Sequence, residues 1–124
     1  MLFDQLITLK ELKEDPYFRE HMLWDALPQE IMAPKCIKEG DKIVYRKPIK
    51  GYIPYIDVTG KKPCLFIMRH TAGEFAETIA KIDEIPEEML LDAVNENRDK
   101  ISFGMCPINE KVKQWLKKEL GALD

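Results

Sequence analysis

The stretch 51-GYIPYIDVTGKKPCLFIMRH-70 decides how the rest of this chain must fold. Two short apolar runs are joined by Thr59-Gly60-Lys61-Lys62, the pattern of a β-hairpin. The second run, Cys64 to Met68, is apolar at every position instead of every second one. A strand of that kind is covered on both faces, which makes it the expected centre of the core. On this reading Phe66 and Ile67 point to opposite faces and both are buried. The first run contains Pro54, which cannot donate to a ladder, so that strand is expected at a sheet edge or at a bulge.

Outward from the hairpin, Lys42 to Arg46 reads as a further short strand ended by Pro48. On the other side, Thr71 to Ile85 has two readings. As a helix, Thr71 and Glu74 form a capping box and Phe75, Ala76, Ile79, Ala80 and Ile82 share a face. As a strand, Phe75, Glu77, Ile79 and Lys81 alternate after a turn at Gly73. The β-branched Thr78, Ile79, Ile82 and Ile85 favour the strand. Ile101 to Met105 reads as a short strand or an extended linker.

Helices are expected on both flanks. Leu2, Phe3, Leu6, Ile7 and Leu9 to Leu12 recur at helical spacing up to about Glu14. Asp15-Pro16 ends that helix and opens a second, to about Ala26, because Asp caps well and Pro suits a first helical position. Gln29 to Ala33 reads as one more turn. Pro86-Glu87-Glu88 opens another helix with acids at its positive end. Asn109 caps the last, whose stripe is Val112, Trp115, Leu116 and Leu120, with Gly121 at its end. The predicted fold is therefore a single α+β domain of 124 residues. Its antiparallel sheet has three to four strands over about residues 42–85, flanked by N-terminal and C-terminal helices.

Composition argues for an ordinary globular protein, 45% hydrophobic and 33% charged, with no run long and apolar enough for a membrane span. Asp4 near the start argues against a secretory leader. Cys36, Cys64 and Cys106 are too few and too scattered for a disulfide framework or a zinc knuckle, so a reducing, cytoplasmic setting is expected. The net charge of −3 hides two blocks. Residues 42–62 hold six basic side chains against Asp57, a balance of +5, and residues 74–99 hold nine acids against Lys81 and Arg98, a balance of −7. Such blocks pair locally or steer a partner.

Candidate chemistry is thin. His21 reads as a mid-helix residue beside Trp24, either packed or on the surface. Arg69 and His70 end the central strand before a loop, a common mounting for functional groups. Cys106 precedes Pro107 close to a helix start, where a thiol pKa can fall. Tyr55 stands among the cations of the hairpin. Arg69, His70, Tyr55 and Cys106 are therefore the candidate ligand-binding residues, with no metal set and no cofactor expected. The Cys-Pro pair alone does not make a haem site. The best reading is a non-catalytic binding or accessory protein acting through protein–protein contacts, as a homodimer or with another protein, and with room for an anionic small ligand. A small enzyme with a pocket around Arg69, His70 and Cys106 is the alternative. Nucleic-acid binding through the basic, aromatic hairpin 45–62 is a weaker one, since the pI near 5.5 and the acidic second half oppose a polyanion.

Overall fold

A computed structural model describes residues 6–25, 36–45, 51–70 and 76–121, of which 36–39, 42–45, 70 and 76 are described by backbone only. Its centre is an antiparallel sheet of four strands, β3 (Gly51–Asp57), β4 (Cys64–His70), β5 (Ala76–Ile82) and the two-residue β6 (Met105–Cys106), in the order β5-β4-β3-β6. Helices precede and follow it: α1 (Leu9–Glu14), α2 (Pro16–Glu20), α3 (Glu87–Glu96) and α4 (Glu110–Glu119). The architecture is α+β, as expected. The strand at 42–46 does not join this sheet. As β2 (Lys42–Tyr45) it pairs antiparallel with β1 (Cys36–Glu39) in a separate two-stranded sheet. No described helix is long and apolar enough to cross a membrane. The expected turns at Gln29–Ala33 and at Gly73 lie outside the described residues.

β4 is central, paired along its whole length with β3 and with β5. Its alternate side chains enter two apolar clusters. Leu65 and Ile67 are fully buried in the larger, with Ile56, Ala80, Ile82, Val112 and Leu116. Met68 enters the smaller, with Ile53 and Tyr55, against which Phe66 is only half-buried. Ile67 therefore behaves as expected and Phe66 less fully so. Pro54 lies where the ladder leaves a gap. The Tyr52 N–H points outward from the sheet to the His21 carbonyl at 3.0 Å. Two residues on, Pro54 turns its donorless nitrogen the same way, before β6 begins to pair at Ile56.

Residues 76–82 are a strand, as the β-branched residues argue. A bulge leaves Ile79 unpaired, since Ile67 faces Ala80 while Met68 faces Thr78. Ile79, Ala80 and Ile82 then all contribute to the core, which breaks strict alternation and mimics a helical face.

The first helix starts later than its periodicity predicts. Ile7 is extended and bridges the outer edge of β5, donating its N–H to the Ile79 carbonyl and accepting from the Lys81 N–H. Thr8 and Glu11 then form a capping box that opens α1. α2 stops at Glu20 because the next residues bind the far edge of the sheet, where the Leu23 N–H donates to the Tyr52 carbonyl at 2.8 Å. At Gly51, with φ at +144°, a Cβ would stand 2.7 Å from the His21 carbonyl oxygen, so this edge contact requires glycine. The N-terminal segment thus runs from one edge of the sheet to the other across a single face. It shares that face with α3 and α4, in one cluster that contains Leu9, Leu12, Leu90, Ala93, Val112 and Leu116. Lys13 to Glu119, Asp25 to Lys113 and the Arg19 guanidinium to the Leu120 carbonyl tie it to α4.

Candidate functional site

The four candidate residues do not converge. Cys106 lies opposite Ile56 at one end of the sheet and Arg69 opposite Tyr52 at the other, on either side of β3 and roughly 16 Å apart at strand spacing. The Arg69 guanidinium is exposed and ion-paired with Glu77. Only the backbone of His70, paired with Gly51, is described. Tyr55 faces the smaller cluster, where its hydroxyl shares a 2.7 Å hydrogen bond with Thr78 and its ring stacks on Phe66. The Cys106 thiol is completely buried in the larger cluster, and burial pushes its pKa up to about 11, the reverse of what a reactive thiolate needs. Among the described side chains, Arg69 and Cys106 do not share a pocket.

Of the aromatic residues of the basic hairpin, the two whose side chains are described are not free to stack on a base. Tyr52 and Tyr55 are both buried, in different clusters, and burial raises both phenol pKa values. Tyr52 packs with Phe18 and Tyr17, and Tyr17 stacks on His21. His21 is thus an exposed helix-end residue whose Nδ1 lies 2.9 Å from the Tyr17 carbonyl oxygen. Among the described residues no three His, Cys, Asp or Glu side chains gather as a metal site.

The unusual local chemistry lies elsewhere, in the loop between α3 and α4. Ser102 and Met105 exchange backbone hydrogen bonds of 3.0 and 2.9 Å, closing a two-residue hairpin over Phe103-Gly104. The two φ angles are +55° and +74°, both left-handed, which is the turn type that Asn-Gly or Gly-Gly normally fills. Phe103 is the single described non-glycine residue with positive φ, and its ring is 71% exposed. A large apolar side chain is held out into water on a backbone that disfavours it.

The surrounding sequence makes this display rigid. The Gly104 carbonyl accepts from the Val58 N–H at 3.0 Å. A Cβ on Gly104 would run into the methyl of Thr59, whose hydroxyl donates to both Asp57 carboxylate oxygens. The turn is therefore keyed into the β3–β4 loop. The base of the excursion is held by two buried asparagines. Asn97 donates to the Pro107 carbonyl at 3.1 Å, and Asn109 both caps α4 and donates to Glu96.

The same end of the sheet carries a hollow of about 180 Å³. Pro63, Ile82, Ile85 and Leu90 supply its apolar wall, and Lys62 and Glu87 stand at its rim. Exposed basic side chains (Lys61, Lys62) lie in the β3–β4 loop and exposed acidic ones (Asp83, Glu84, Glu87, Glu88) between β5 and the first turn of α3. Sequence reasoning did not single out Phe103, because a Phe-Gly pair carries no turn signature. Comparison with protein-family models, with curated proteins and with solved structures finds no match for this chain.

Proposed function

We propose that this chain is a non-catalytic binding or accessory protein that acts through protein–protein contacts, with the Phe103 hairpin as its principal contact. One observation carries the reading: an aromatic side chain, 71% exposed, is fixed on a left-handed backbone by Gly104, Thr59 and the Ser102–Met105 pair. Local rules broken without gain to the fold are characteristic of functional positions, and rigid aromatic anchors carry much of the energy of protein interfaces. The flanking Lys61, Lys62 and Lys100 suit an acidic partner surface, a role an anionic small ligand could share only in part, since it leaves the ring in water. The setting in this reading is the cytoplasm, where Cys64 and Cys106 stay reduced, and the partner is a protein, a second copy of the chain included.

Site-specific photo-crosslinking in cells tests this. A photoreactive side chain at position 103 should give discrete adducts, while one at Tyr17, also exposed but packed against His21 and Tyr52 near the opposite end of β3, should not. Adducts at neither position, or equally at both, would overturn the reading.

A further inference from the structure

We infer that the partner seated on this end of the molecule is a second copy of the chain, in a two-fold pair. The inference rests on the binding role proposed for Phe103 and adds the occupant and the geometry. A two-fold interface must be self-complementary, so each patch and its counterpart have to lie on the same surface of one protomer. This end meets that condition in shape and in charge. It carries a protruding phenyl ring and, across the 59–62 loop, a hollow lined by both apolar (Ile82, Ile85, Leu90) and charged (Lys62, Lys81, Glu87) side chains. A cavity of about 150 Å³ accommodates benzene, so the hollow of about 180 Å³ has room for the ring. Lys62 and Lys81 border it and can stand over a ring face.

The charges repeat the arrangement. Lys61 and Lys62 follow Thr59 in the loop between the ring and the hollow, with Lys62 at the hollow's rim, while Glu87 lines the hollow and Glu88 is next to it in sequence. When the ring of one copy enters the hollow of the other, the lysines of each meet the α3 acids of its partner, twice per dimer. Lys61 and Lys62 of the basic block and Glu87 and Glu88 of the acidic block are thereby matched between copies. The smaller apolar face of the sheet does not serve this purpose, because Ile53, Tyr55 and Met68 are already buried within one chain.

Sedimentation equilibrium of the purified full chain, with charge reversal, tests the pairing. Wild type should approach twice 14.5 kDa as concentration rises through the micromolar range, less readily at high salt. Phe103→Asn, which suits the turn, should weaken association by about a thousandfold, roughly thirtyfold for each of the two anchors lost per dimer. Lys61→Glu/Lys62→Glu and Glu87→Lys/Glu88→Lys should each be monomeric alone. Mixed, they should form a heterodimer, since both contacts of the pair are then restored with one set of charges inverted. A wild-type monomer at all concentrations would overturn the pairing, as would a dimer indifferent to Phe103→Asn. If adducts from position 103 to a different protein are found alongside either result, the binding role of Phe103 survives and only the second copy is excluded.

Discussion

At the scale of single residues, the positions that matter most are those where conformation and side chain disagree. Phe103 adopts φ of +55°, which costs an L-residue about 1–2 kcal/mol relative to glycine. Phe103→Gly is therefore expected to raise the unfolding free energy by up to about 1 kcal/mol, after the entropy of the added glycine is discounted, and the urea midpoint with it. Gly104→Ala should lower it, because φ is +74° and the new methyl meets Thr59. A lower midpoint for Phe103→Gly would show that the ring supports the fold, contrary to the role proposed. Cys106 gives a second expectation. Its thiol pKa is raised from 9.0 to about 11 by burial, so the folded state holds its proton more tightly than the unfolded state. The stability from this difference is complete below pH 9 and is lost as pH rises towards 11. A chain with Cys106→Ala, compared with wild type across that range, should show a shallower decline. At neutral pH a thiol reagent should reach Cys106 no faster than the protein unfolds. Neither feature was legible in the sequence. Phe-Gly is an ordinary dipeptide, and a Cys beside Pro107 gives no measure of its own burial.

At the scale of elements, local chemistry told most where it was strongest. The apolar run 64–68 identified the central strand because only two-sided cover tolerates it, and Asn109 and Asp15 announced helix starts through their capping oxygens. Residues 76–82 were harder, since the bulge at Ile79 puts three core residues at a spacing a helix would also use. The N-terminus was overextended because Ile7 fits a helical stripe but uses its backbone on the edge of β5. Thr8-Leu9-Lys10-Glu11 carries the capping signature that marks where α1 begins. Three substitutions test these assignments. Ile67→Ala should cost about 2–5 kcal/mol, while Phe66→Ala, at a half-buried position, should cost clearly less. Asn109→Ala should cost about 1–2 kcal/mol, since it uncaps α4 and releases Glu96, and should loosen the 97–109 excursion that displays Phe103. Amide exchange at Ser102 and Met105 reads the second effect directly.

At the scale of the whole molecule, periodicity shows which side of a helix is buried but not what it is buried against. The two helical flanks could have covered opposite faces of the sheet; instead both lie on one face, with the N-terminal segment strapped from the edge of β5 to the edge of β3. That placement moves the surface available for a partner from a sheet face to a sheet end, where the ring, the hollow and the two charge groups meet. The four residues favoured from sequence were separated by the same topology, because β4 carries Arg69 away from Cys106 along its length. The most direct test of the central claim is ¹⁹F NMR of the chain with a fluorinated phenylalanine at position 103 alone. As protein concentration rises, the resonance is expected to move from a narrow, solvent-like position to a broader one typical of a packed ring, and Lys61→Glu/Lys62→Glu should hold it at the first. A narrow, solvent-like signal at every concentration, unchanged on adding cell extract, would contradict a binding role for Phe103.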